Sequence, residues 1–95
     1  MNLRWTRPAL RDLEEIGDYI ARDNARAAAE TVAEILNQTE MLADHPHLGR
    51  AGRVAGTREL VVARTPFIVP YRVVGDDIQI LAVFHAARCW PKTFA

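Results

Sequence analysis

A chain of 95 residues, 49% of them hydrophobic and with five Gly and five Pro, has the composition of one compact domain with a modest core spanning residues 1–95; it excludes a disordered segment or a repeat array. No apolar run approaches the ~20 residues of a membrane span, the start MNLRWTRPAL lacks a secretory h-region, and a lone Cys89 excludes an internal disulfide, so a soluble cytoplasmic protein is expected. The formal net charge of zero hides an asymmetry: residues 1–44 carry five Arg against nine acids, and residues 45–95 carry six Arg and one Lys against three acids.

Asn2–Trp5 alternates as a short strand, with Leu3 and Trp5 pointing the same way, and needs a later sheet to pair with. Thr6 offers a hydroxyl N-cap and Pro8 lies in the first turn of a helix, where its missing N–H costs nothing. Leu10, Leu13, Ile16 and Ile20 recur at the spacing of one helical face, while Arg11, Asp12, Glu14, Glu15, Asp18 and Arg22 occupy the other. Arg22-Asp23-Asn24 interrupts this pattern, and Asp23 or Asn24 caps a second helix whose stripe is Ala28, Val32, Ile35, Thr39 and Leu42. Pro46, Gly49 and Gly52 end that helix in a flexible connection.

From Thr57 onward the chain is rich in β-branched and aromatic residues. Glu59–Ala63, Phe67–Val74 and Ile78–Phe84 are three apolar segments separated by Arg64-Thr65-Pro66 and Gly75-Asp76, and they predict a three-stranded antiparallel meander. Gly75 suits the first central position of a type II′ turn. Pro70 cannot donate to a ladder and predicts an irregularity in the middle strand. The whole is an α+β fold: an N-terminal strand, an antiparallel two-helix hairpin, then the meander, with the helices on one face of the sheet.

Between His45 and Pro66 the only acid is Glu59, among Arg50, Arg53, Arg58 and Arg64; this is either a positive surface for phosphate or acidic protein or a set of solvated side chains. His45 and His47 lack the carboxylate or thiolate partners of a metal site, and no cofactor motif is present. If the sheet gathers Arg58, Arg64, Arg72, His85 and Arg88 on its open side, they provide positive charge for a pentavalent phosphate and one group titrating near neutrality, with Glu59 as a weaker base. The other reading of His85 is a satisfied histidine at a strand end, and Trp90 either covers the end of the core or meets a ligand.

The order of elements, together with HPHLGR, GTRELVV, PYRV and the terminal H-A-A-R, resembles the RelE/ParE superfamily of toxins of bacterial type II toxin–antitoxin systems, over nearly the whole chain. The resemblance implies two branches. RelE-like members cut mRNA on the ribosome and carry an Arg three residues before the Tyr of the equivalent strand; that position is Ile68 here, Tyr71 keeps its place, and no Tyr follows the last strand. On that alternative Arg58, Arg64, Arg72 and Arg88 contact phosphate and His85 is acid or base. ParE-like members poison DNA gyrase and lack the nuclease set, which the helical hairpin and the tail fit better. On this reading His85, Arg88 and Trp90 bind the target. A small antitoxin, partly disordered when free, folds onto Arg50, Arg53, Arg58 and Arg64 to give a hetero-oligomer, without cofactor, metal or membrane.

Overall fold

The computed structural model describes residues 1–87, 90, 91, 93 and 94. Its elements are β1 Asn2–Trp5, α1 Arg7–Ala21, α2 Ala25–Glu40, β2 Arg50–Ala51, β3 Arg58–Val61, β4 Phe67–Val74, β5 Asp77–Ile80 and β6 Phe84–His85. Both helices start where short polar side chains relieve unpaired N–H groups. The Thr6 hydroxyl accepts from the Ala9 N–H at 3.3 Å, and the Asn24 side chain accepts from the Ala27 N–H at 3.0 Å, which selects Asn24 over Asp23 as the second cap.

The strands order as β1-β5-β4-β3-β2, with β6 also paired to β4. The meander is antiparallel through β3, β4 and β5, as the alternation predicts; β1 joins its edge in parallel, Leu3 opposite Ile78 and Trp5 opposite Ile80. Gly75 takes φ +59° between Val74 and its partner Asp77, the backbone that a Gly-first two-residue hairpin requires.

Four expectations are corrected. The last segment is two strands, because three residues, Leu81 to Val83, span the gap opposite Val69 and Pro70. The irregularity expected at Pro70 is this bulge: its carbonyl accepts from the Leu81 N–H at 2.9 Å, and its missing N–H falls on the same side, where the ladder is broken. The first segment forms strand only over Arg58–Val61, and the connection before it is ordered into an edge strand, Arg50 opposite Glu59 and Ala51 opposite Arg58. On α1, Leu10 is 50% exposed and Ala9 takes its place in the core.

Ala9, Leu13, Ile35 and Leu42 from the helical side pack with Leu60, Val62, Phe67, Val69, Tyr71, Ile78, Ile80 and Val83 from the sheet, and Leu3, Trp5, Ile16, Ile20 and Val32 close the margins. Strand alternation therefore fixes which side chains face the helices and which face away: Phe67, Val69 and Tyr71 on one side, Ile68, Pro70 and Arg72 on the other.

Candidate functional site

The face away from the helices is organised around one carboxylate. Glu59, opposite Pro70 on β3, is 1% exposed. One of its oxygens accepts from Arg50 Nη2 at 3.1 Å and Nε at 3.3 Å; the other accepts from the Arg53 main-chain N–H at 2.8 Å and lies 3.7 Å from Arg53 Nε. Two guanidinium groups share one buried negative charge, so the locus keeps a positive surplus, with the Arg50 and Arg53 side chains about half exposed. Glu59 is thereby committed to holding two cations, and its role is that of an anchor and not the free base the sequence allowed.

Arg53 also lies 4.2 Å from the centre of the Trp90 ring. Phe84, opposite Ile68 and so on the same face, meets Trp90 edge-on at 4.9 Å and stacks with Phe94 at 6.1 Å. Trp90 and Phe94 thus form an aromatic cluster with Phe84 on this face. The Trp90 Nε1–H is buried and has no acceptor among the described residues.

Of the groups that phosphate chemistry would need, Arg64 and His85 lie apart from the rest, while Arg58 and Arg72 line one small pocket with His47. Arg58 shares the Tyr71 side of the sheet, and its Nη1 donates to the Gly49 carbonyl at 2.9 Å. Arg64, with φ +66° in the β3–β4 turn, reaches α2, where its Nη2 lies 2.9 Å from Glu34 and holds that carboxyl below the usual range, helped by Gln38. Arg72 faces away from the helices and donates to Gln79 at 2.9 Å. His85 pairs with Phe67 on the helix side, contacts its ring edge-on at 5.7 Å, and accepts at Nδ1 from the Ala87 N–H at 3.1 Å, which places the ring proton on Nε2. His85 and Phe84 therefore point to opposite faces, so His85 is not beside Trp90. Arg88, and with it Cys89 and Lys92, lies outside the described residues.

On the helix side His85 borders a groove of about 730 Å³ between α1 and the β6 edge, floored by Ile16, Ile20, Phe67 and Val83 and flanked by Asp12, Glu15 and Asp18. Tyr19 stands 70% exposed on its wall. Among the described residues no group of three or more His, Cys, Asp and Glu side chains is placed to share a metal ion, and no helix is long and apolar enough to cross a membrane.

Sequence reasoning missed the partners that order the basic loop. Besides Glu59 these are Tyr71, whose hydroxyl donates to the Pro46 carbonyl at 2.8 Å and accepts from the Gly49 N–H at 2.9 Å. The available signal was a lone acid among four Arg on the strand face opposite the core positions Leu60 and Val62. The close approach of the loop also demands Gly49, where a Cβ would lie 2.6 Å from the Tyr71 hydroxyl.

This geometry has known counterparts. The chain is 38% identical to a chain of the chromosomal ParDE toxin–antitoxin system of P. aeruginosa, with a TM-score of 0.81 over 90% of this chain and 95% of that one. It shares the fold of a chain in the RelBE2 toxin–antitoxin complex of Mycobacterium tuberculosis, at 23% identity and a TM-score of 0.63, covering 88% and 95% of the two chains. Among sequence relatives, Y4kP of Sinorhizobium fredii, provisionally named a toxin, is 50% identical over 90 residues, covering 95% of this chain and 93% of the relative. Toxin RelE2 of Caulobacter vibrioides is 37% identical over 84 residues, covering 88% and 93%. The family model described as the ParE toxin of the type II toxin–antitoxin system parDE matches residues 3–90, and the chain belongs to that family, within the RelE/ParE superfamily of toxins.

Proposed function

We propose that this toxin acts by binding a protein, DNA gyrase, and that a cognate antitoxin neutralises it. The observation that carries the reading is the occupancy of the sheet face away from the helices. Phe84, Trp90 and the Glu59 ion pairs fill it, and Arg58, Arg64 and His85 are directed elsewhere. General acid–base cleavage of RNA needs a titratable group and fixed cations within hydrogen-bond reach of one phosphate. An aromatic cluster with a cation on its ring is instead the side-chain chemistry of protein recognition, in which Trp and Arg dominate binding energy. The tail around Trp90 is the proposed contact with gyrase.

For the antitoxin, Arg50 and Arg53 form the proposed anchor, because their shared carboxylate leaves a positive surplus for an acidic partner. Arg64 is already paired with Glu34 and its contribution is smaller, whereas Arg58 donates to a neutral carbonyl and keeps its charge.

Expression in cells tests both parts together. Growth arrest is expected in a host with ordinary gyrase, relief in a host whose gyrase resists this class of toxin, and relief in an ordinary host by the co-expressed antitoxin. Arrest of the gyrase-resistant host would favour ribosome-dependent mRNA cleavage. Full antitoxin protection against an Arg50→Glu toxin that still arrests growth would remove the anchor.

A further inference from the structure

We propose that Arg53, aimed by Glu59, is a positioning residue that fixes the C-terminal tail on the sheet face away from the helices and so sets how Trp90 is presented to the target. The inference rests on the protein-binding reading of that tail and adds a residue outside it.

Three observations carry it. Among the described residues the last main-chain hydrogen bonds toward the C-terminus are donated by Ala86, to Pro66, and by Ala87, to His85. Of the described residues beyond Ala87, Trp90 is held by side-chain contacts. The buried Trp90 Nε1–H has no acceptor among the described residues, and the ring lies against Phe84 at 4.9 Å and the Arg53 guanidinium at 4.2 Å. Arg53, finally, is not a free surface side chain. Its main-chain N–H is bound by Glu59 at 2.8 Å and its Nε lies 3.7 Å from the same oxygen, while Arg50 holds the other oxygen. A cation gains on a ring face only when it is kept there, and the buried carboxylate supplies that constraint from β3.

Phe84, the other ring contact of Trp90, is fixed in β6, opposite Ile68 on β4. Arg53 comes from the loop between β2 and β3, so it ties Trp90 to a second part of the chain besides the sheet. Its loss would release one side of the Trp90 ring while Phe84 stays in the sheet, changing how Trp90 is presented without unfolding the core.

The test uses the full chain with Trp5→Phe, which leaves Trp90 as the sole tryptophan. Acrylamide quenching of Trp90 and the toxin concentration giving half-maximal linear plasmid with gyrase are measured for Arg53→Ala, Arg53→Met, Arg53→Lys and Glu59→Gln, with far-UV circular dichroism as the fold control. Arg53→Ala and Arg53→Met should raise quenching about two- to fivefold, the population change that an exposed cation–π contact governs, and weaken gyrase poisoning in parallel. Arg53→Lys should restore much of both, and Glu59→Gln should loosen Trp90 although Arg53 is present. Arg53→Met, which keeps the aliphatic stem, decides the matter if Arg53→Ala disturbs the fold. Trp90 equally protected without the Arg53 charge overturns the inference whatever the target. A wild-type chain that leaves gyrase untouched would sink the proposed target, while quenching alone still decides the Arg53 contact.

Discussion

Two buried oxygen-bearing side chains do most to shape the basic loop. Glu59 neutralises part of two guanidinium groups and caps a main-chain N–H, so Glu59→Gln leaves both cations facing a buried amide in place of the carboxylate. Because Arg50 and Arg53 are about half exposed, the loss should fall below that of a fully buried pair, at about 2–3 kcal/mol in urea unfolding. An unchanged midpoint would mean that the carboxylate is dispensable. Tyr71 is the second. Burial pushes its hydroxyl above the ordinary value of 10.0, opposed by the Gly49 N–H and the Arg58 charge. With the folded value raised over the unfolded one, the contribution of the neutral phenol is complete below pH 10.0 and is lost as pH rises through the folded value. Tyr71→Phe should cost about 1–3 kcal/mol at neutral pH, and should lose less stability than wild type between neutral and strongly alkaline solution. Equal alkaline losses in both proteins would contradict the assignment. Neither role could be read from residue type: Tyr71 was visible as a core position, but its two loop partners lie 22 and 25 residues away, at a separation no local pattern encodes.

At the scale of elements, periodicity served best where one face is buried and the other wet. The stripe of α2 was legible at Ala28, Ile35 and Thr39 and continued to Leu42 in the turn just past its end, and α1 differed only by one residue, Ala9 in place of Leu10. Strand limits were less legible, because a continuous apolar run such as Ile78–Phe84 carries no mark of the break at Leu81–Val83; Pro70, on the neighbouring strand, held the clue. The sheet edge shows a device that composition conceals. β2 covers β3 only at Arg58 and Glu59, and further along the edge the Gln38 side chain takes the place of a strand, accepting from the Ala63 N–H at 2.7 Å and donating to its carbonyl at 3.0 Å. Between them Val61 stands 51% exposed. Gln38→Ala should therefore cost about 1–2 kcal/mol and open the edge to self-pairing. Sedimentation across a concentration series checks this, and a variant that stays as dispersed as wild type would show that the edge needs no plug.

For the molecule as a whole, the charge asymmetry of the sequence becomes a division of surfaces. Acidic side chains of α1 flank an apolar groove on the helix side, and Arg50, Arg53 and Arg58 order the loop on the other side of the sheet edge. The α+β architecture was legible because element order, caps and turn chemistry agree with one another. The candidate site was legible only in part: Arg50, Arg53 and Trp90 do share one locus, whereas Arg58, Arg64 and His85 are turned away by strand alternation and by partners distant in sequence. That separation underlies the claim that this member of the ParE family works by binding protein instead of cutting RNA. The most direct test adds purified toxin to gyrase with supercoiled plasmid and, separately, to translating ribosomes. Accumulated linear plasmid with intact mRNA is the predicted result; mRNA cleaved on the ribosome with gyrase unaffected would contradict the account.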